Sequence, residues 1–162
     1  MRGRVTALVS VVVLAAGMAS CVFDDSRSDA QRLVDDFVAE LNERDAAGAA
    51  ALTSYPNAAE TSISQMFEGM KDGDVEFDVA QFVELNEQTG FFSLGADWNF
   101  GPGKDWGYQV DGVAKNLAVG WRISWDPQVL VPDLNRTRTV HHVRTDAAPP
   151  KIFDRTGRLL MA

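Results

Sequence analysis

Side chains that could do chemistry are few in this chain, and they fall in three separate places. The one cysteine, Cys21, closes an apolar N-terminal stretch, Asp97 and Asp111 lie among aromatic residues, and His141-His142 lies towards the C-terminal end. One cysteine cannot form an internal disulfide or supply a cysteine-rich zinc site. Chemistry would therefore need an acid–base pair, histidine ligands or modification of the thiol itself.

An acid–base site is the first possibility. Proton transfer needs a carboxylate or imidazole aimed into a pocket, and five aromatic side chains could line one. These are Trp98, Trp106, Tyr108, Trp121 and Trp125. In an alternating strand pattern, Asp97 and Asp111 have the opposite parity to the neighbouring aromatics and are expected to face away from them. We therefore predict no catalytic residue, and we predict that the aromatics form core or pocket walls.

The histidine pair does not favour a metal site. Adjacent side chains such as His141 and His142 point to opposite sides of an extended chain. No cysteine or suitably spaced carboxylate accompanies them, whereas a zinc site needs three or four ligands that converge. The sequence therefore predicts a plain linker at these positions, with no metal and no cofactor.

Charge is distributed unevenly along the chain. The formal net charge is −8, which argues against nucleic acid as a partner. Val22 to Leu134 contains 7 basic and 21 acidic residues, or −14, whereas residues 135–162 contain 6 basic and 2 acidic residues, or +4. This asymmetry indicates an acidic folded domain followed by a basic tail.

The first 20 residues have the form of a secretory signal. Arg2 and Arg4 precede an apolar stretch, residues 5–17, which is too short for an ordinary membrane-spanning helix. Met18-Ala19-Ser20-Cys21 resembles the lipobox of bacterial lipoproteins, in which the cysteine receives a diacylglycerol and becomes the first mature residue. The resemblance implies a lipoprotein held through Cys21 to the extracytoplasmic face of the cell membrane. The alternative is an ordinary secretory signal beside an unmodified cysteine.

Three helices are predicted after a short tether. Ser28-Asp29-Ala30-Gln31 has the form of a capping box and is followed by apolar residues at helical spacing. Asp45 can cap a short alanine-rich helix over 46–52, and Asn57 can cap a third helix after the break at Tyr55-Pro56. The apolar stripe of this third helix comprises Ala59, Ile63, Met66, Phe67 and Met70.

After residue 74 the apolar period changes from helical to alternating, which predicts four antiparallel strands. In the first strand Phe82 falls out of phase with Val75 and Phe77, which predicts a bulge or bend. The last strand is predicted over 117–125, because Pro127 has no backbone donor for the ladder. Helices followed by such a meander indicate an α+β fold.

The most specific pattern is W-R-I-S-W-D-P-Q-V-L-V-P-D-L at residues 121–134. It resembles the closing run of the NTF2-like N-terminal domain of class B penicillin-binding proteins of the MecA type, especially actinobacterial penicillin-binding lipoproteins. The resemblance covers most of the chain after Cys21. It implies a cone in which about three N-terminal helices pack on a curved antiparallel sheet of about four strands.

The basic tail carries a further resemblance. Residues 152–157 can be aligned with the segment that opens the next domain, the dimerisation domain, of those proteins, although Pro150-Lys151 replaces the usual Arg-Gly. The tail is therefore expected to be an extended linker that protease cleaves readily. The domain map is a signal peptide at 1–20, a tether at 21–27, an NTF2-like domain at 28–134 and a linker at 135–162.

Two functional hypotheses follow. No serine in these 162 residues stands three residues before a lysine, so the nucleophile motif of the penicillin-binding transpeptidases is absent. The resemblance thus implies a non-catalytic module that positions cell-wall synthesis proteins in peptidoglycan synthesis and the β-lactam response, either as part of a split or truncated gene product or alone. The second hypothesis is a free-standing lipoprotein whose cone binds an apolar ligand or a protein partner.

Overall fold

The computed structural model describes residues 27–145, 152–153, 155–156 and 159–161. The predicted signal peptide, the predicted lipid-attachment residue Cys21 and part of the predicted next-domain motif lie outside the described residues. In chain order the elements are α1 (Asp29–Asn42), α2 (Ala46–Ala51), α3 (Pro56–Gly69), β1 (Asp74–Asn86), β2 (Thr89–Asn99), β3 (Asp105–Leu117), β4 (Gly120–Ile123), a 3-10 turn (Pro127–Val129), β5 (Ile152–Phe153) and β6 (Leu159–Met161).

The first two helices begin where their capping residues predict. Ser28 Oγ accepts a hydrogen bond from the Gln31 backbone N–H at 3.2 Å, and Asp45 Oδ1 accepts one from the Gly48 N–H at 2.9 Å. Such caps satisfy backbone donors that the helix leaves unpaired and are each worth about 1 kcal/mol. Along α1 the residues at helical spacing are buried, as the period predicts: Ala30, Leu33, Val34, Phe37, Val38 and Leu41.

The predicted cap of the third helix is wrong. Asn57 lies inside α3, which begins at Pro56, and the residue before it, Tyr55, makes no side-chain cap hydrogen bond. Proline suits the first helical position because its φ is already helical and its missing N–H would have had no partner there. The helix therefore starts at Pro56, a residue predicted to break the chain.

The four strands form one antiparallel sheet in the order β1-β2-β3-β4. The register of β1 and β2 shifts between Val79 and Gln81, which confirms the predicted bulge near Phe82. Beyond this bulge Phe82 is paired with Phe92 on the inner face, and Val83 turns outward. One extra residue reverses which side chains face the core, because strand side chains alternate with a period of two.

The predicted last strand is wrong at both ends. Leu117 ends β3, and Val119, which is 70% exposed, lies in the turn that follows, so β4 begins only at Gly120. The strand ends at Ile123, where its outer edge pairs with the chain between α2 and α3. There the Ile123 N–H donates to Leu52 O at 2.9 Å, and the Ser54 N–H donates to Ile123 O at 2.8 Å.

The helices cover the inner face of the sheet, and the core lies between them. Its largest fully buried side chains come from both layers and from the residues after β4: Trp98, Phe37, Leu41, Ile63, Met66, Leu94, Ile123 and Leu130. The Asn42 side chain joins the layers, since its Nδ2 donates to Phe77 O at 2.9 Å and its Oδ1 accepts from the Phe77 N–H at 2.8 Å.

Candidate functional site

The aromatic residues that could line a pocket are led by Trp98, which is 1% exposed on β2. Its Nε1 lies 3.3 Å from the Tyr108 hydroxyl, and that hydroxyl donates to Leu130 O at 2.8 Å. Phe100 stacks on the same indole, with ring centroids 6.1 Å apart. The indole and the phenol therefore fill the cone interior and hold the segment after β4 against the sheet.

Burial keeps the Tyr108 hydroxyl in its protonated form at neutral pH. Burial raises its pKa to about 12, and the hydrogen bond from Trp98 partly offsets that rise. A general acid or base works best when its pKa is near the operating pH. At neutral pH this phenol is a fixed donor whose proton is committed to Leu130 O.

The remaining aromatics differ in exposure. Trp125 is buried, and its backbone N–H donates to Ser54 Oγ at 3.0 Å, whereas Trp121 is half-buried against the core. Trp106 is 37% exposed and lies against Tyr108, with ring centroids 4.6 Å apart. Of the five aromatics, Trp106 alone presents a large part of its ring at the surface among the residues that the structure describes.

Residues 135–145, which we call the exit segment, lie against the domain. Val140 packs against the core, and the His142 N–H donates to Gly69 O at 2.9 Å. The His142 imidazole stacks on Phe100 with centroids 4.0 Å apart, and its buried Nδ1 has no hydrogen-bond partner in the described structure. Sequence reasoning missed these contacts because the segment has neither a helical nor an alternating period.

An apolar groove opens where the exit segment crosses the sheet, and we call it the exit groove. Its volume is about 450 Å³. The walls are Met70, Phe100, Lys104, Asp105, Trp106, Val140, His141, His142 and Val143. Aromatic and aliphatic walls with one lysine and one aspartate suit an apolar group better than a reacting polar substrate.

The two acids considered for catalysis do not enter the cone. Asp97 and Asp111 are exposed on the outer face of the sheet, and Asp111 Oδ1 accepts from Ser93 Oγ at 2.5 Å. In the part of the chain that the structure describes, no three His, Cys, Asp or Glu side chains come together as a metal site. His141 instead contacts Thr139, whose Oγ1 lies 2.8 Å from Nε2.

None of the helices in the described region has the length and apolar character needed to cross a bilayer.

A protein-family model matches residues 29–138 of this chain, and that family is the NTF2-like N-terminal transpeptidase domain, MecA_N. The match covers α1 to β4, the residues after β4 and the first residues of the exit segment. The chain therefore belongs to the MecA_N family, and three helices packed on a curved four-stranded antiparallel sheet form its NTF2-like α+β fold. The predicted family and fold class are confirmed. No curated protein matches the chain.

Solved structures similar to this chain include other NTF2-like proteins. A ketosteroid isomerase-like protein from Erwinia carotovora atroseptica SCRI1043 is 11% identical, with a TM-score of 0.47 over 63% of this chain and 93% of that one. An NTF-2 like protein of unknown function from Shewanella oneidensis MR-1 is 9% identical, with a TM-score of 0.44 over 57% and 89%. A putative dehydratase of the NTF2-like family from Streptomyces avermitilis is 10% identical, with a TM-score of 0.45 over 57% and 86%.

Proposed function

We propose that the domain is a non-catalytic module of a penicillin-binding-protein-type lipoprotein, anchored through Cys21 at the extracytoplasmic face of the cell membrane. It acts as a spacer or docking domain for proteins of peptidoglycan synthesis. Membership of the MecA_N family supports the protein class, and the lipobox-like sequence before Cys21 supports the anchor. Two acyl chains on one residue give stable membrane attachment, whereas a single chain is marginal.

The observation that carries the non-catalytic role is the filled interior of the cone. Trp98, Phe37 and Leu94 are fully buried there, and the Tyr108 hydroxyl beside Trp98 donates to Leu130 O. Enzymes need a pocket with titratable groups that converge on a substrate. The interior of this domain instead supplies rigidity, which a spacer needs.

The experiment is an immunoblot of membranes from the native cell, using antibody against the folded domain, alongside labelling with a fluorescent penicillin. A band several times heavier than 17.7 kDa that also carries the penicillin label is expected if the domain belongs to a transpeptidase. Release of the band into the soluble fraction by Cys21→Ser would support the lipid anchor. Soluble protein without that substitution would refute the anchor.

A second candidate function rests on the exit groove. Its apolar walls and the exposed edge of Trp106 favour binding of an apolar ligand or of an apolar side chain of a protein partner. Titration with a cell-envelope lipid extract should then change the tryptophan fluorescence of the protein. Trp106→Phe should remove most of that change and Trp121→Phe should not. An unchanged spectrum across several extracts would refute ligand binding.

A further inference from the structure

Two turns of the sheet lie side by side at one of its ends, which we call the hairpin tip (residues 85–89 and 116–120). Asn116 joins the turns, since its backbone N–H donates to Gln88 O at 3.0 Å and its Nδ2 donates to Glu87 O at 3.2 Å. These two hydrogen bonds hold the turn between β1 and β2 against the end of β3. The hairpin tip is therefore one surface and not two separate loops.

The hairpin tip presents apolar side chains to its surroundings. Leu85 is 63% exposed, Leu117 is 42% exposed and Val119 is 70% exposed. Glu87 is the one charged residue among the ten of the tip. Single exposed apolar residues are common on protein surfaces, but three of them at one end of a domain indicate a surface that meets an apolar partner.

The chain enters the domain at the same end of the sheet. A methyl group on Gly90, which follows the hairpin tip in β2, would lie 3.8 Å from Cβ of Ala30, so the first turn of α1 packs beside the tip. Cys21 precedes Ser28, the N-cap of α1, by seven residues, and so short a chain spans at most about 25 Å. A lipid on Cys21 would therefore keep the tip close to the bilayer surface. The exit segment lies at the opposite end of the sheet, against Phe100.

Charge also distinguishes the two ends of the sheet. Four acids line a groove at the end opposite the hairpin tip, namely Asp74, Glu76, Asp97 and Asp105. Arg44 lies 4.0 Å from Asp74 and Lys104 adjoins Asp105, so an excess of acid remains there. Residues 84–89 and 115–122, which contain the tip, are balanced, with two acids and two bases: Glu84, Glu87, Lys115 and Arg122. Anionic headgroups would therefore repel the far end and admit the tip.

We propose that the hairpin tip rests in the headgroup layer of the membrane that holds Cys21, with Leu85, Leu117 and Val119 reaching the upper part of the acyl chains. This inference rests on the proposed lipid anchor at Cys21. Apolar side chains gain free energy at this depth, while the polar backbone of the turns stays in contact with water and headgroups. The strands then stand away from the bilayer, and the exit segment lies on the side remote from the membrane. Such an orientation suits a spacer.

Fluorescence quenching in vesicles tests this orientation. The protein is purified from membranes of the expressing bacterium, labelled with an environment-sensitive maleimide dye at Val119→Cys and inserted into vesicles of phosphatidylglycerol and phosphatidylethanolamine. A lipid with a nitroxide near its headgroup should quench this dye and should leave the same dye at Val143→Cys unquenched. Val143 is the matched control, because it is 75% exposed but lies in the exit segment. Equal quenching at the two sites, or a dye at Val119→Cys that is shielded from water without being quenched, would overturn the proposal.

Failure of the anchor and failure of the tip contact give different results. An acylated Cys21 has no free thiol, so the wild-type protein should take up no dye. Labelling of the wild-type protein would refute the anchor and with it this orientation. Equal quenching at Val119→Cys and Val143→Cys, in a protein whose wild type takes up no dye, would refute the tip contact and leave the anchor intact.

A second substitution tests whether the apolar side chains, and not the dye, make the contact. In the Val119→Cys background, Leu117→Ser removes one exposed leucine from the hairpin tip. The ratio of quenched to unquenched protein should then fall about fivefold, as expected for partial burial of one leucine side chain. Val143→Ser in the same background is the control and should leave the ratio unchanged. An effect of Leu117→Ser no larger than that of Val143→Ser would refute the proposal.

Discussion

The docking of the exit segment can be tested at Gly69, the last residue of α3. A methyl group there would lie far inside van der Waals contact with the carbonyl oxygen of Val140 and 2.9 Å from Nδ1 of His141. A backbone carbonyl cannot rotate away as a flexible side chain can, so the exit segment must move. Gly69→Ala should therefore release residues 140–142 from the domain while α3 itself remains folded.

The magnitude follows from the contacts that would be lost. One is the hydrogen bond from the His142 N–H to Gly69 O, worth about 1 kcal/mol, and the other is the stack of His142 on Phe100, worth about 1 kcal/mol. About 2 kcal/mol corresponds to a roughly thirtyfold larger opening constant. Alanine also favours the helix by up to about 1 kcal/mol, but that gain stabilises α3 and not the docked segment.

Hydrogen exchange followed by mass spectrometry is the assay, with the amide of His142 as the reporter. It should exchange roughly thirtyfold faster in Gly69→Ala, in line with the estimated opening free energy. The amide of Met70, which is bonded to Met66 O, should be unaffected. Gly48→Ala is the matched control, because its methyl group meets side-chain atoms of Glu40 and Asp45 and no backbone atom of another segment. An unchanged His142 rate, or an equal change in the control, would refute the reasoning.

Three further outcomes are expected. Tyr108→Phe leaves Trp98 Nε1 without its partner and should lower the free energy of unfolding in urea by about 1–3 kcal/mol, whereas Tyr55→Phe at an exposed site should not. Spectroscopic pH titration should show Tyr108 ionising only when the pH approaches its pKa of about 12. Because burial raises the folded-state pKa of Tyr108 above the unfolded value of 10.0, Tyr108 stabilises the fold fully below pH 10, and this contribution falls as pH rises towards 12. Ionisation of Tyr108 in the folded protein at pH 10.0 would contradict this. Asn42→Leu removes both hydrogen bonds to the Phe77 backbone and should destabilise the domain by about 2 kcal/mol or more in the same urea experiment, and an unchanged midpoint would contradict the bridge between α1 and β1.

The helices and the inner face of the sheet were predictable because local rules determine them. Ser28 and Asp45 cap the helices that follow them, and the spacing of Phe37 and its neighbours on α1 defines the buried face without any knowledge of the partner layer. The bulge near Phe82 could also be predicted, because a break in a period of two is visible within one strand. Elements whose signal lies within about ten residues were therefore accessible to sequence reasoning.

The exit segment could not be predicted in this way. Its position depends on Gly69, which leaves room for the Val140 carbonyl, and on Phe100, which provides a ring for His142. These partners are far apart in the sequence, and none of them belongs to a repeating pattern. The same holds for Asn42 and the backbone of Phe77, which are 35 residues apart.

The bulge in β1 is visible within one strand, yet it affects both faces of the sheet. It turns Phe82 towards the helices and Val83 towards the outer face. A regular β1 would bury Val83 and would leave Phe91 without an apolar neighbour on β1. Deleting Ala80, which lies between the two registers, should therefore turn Phe82 out of the core and lower the midpoint of unfolding in urea. An unchanged unfolding midpoint would show that the core does not depend on the bulge.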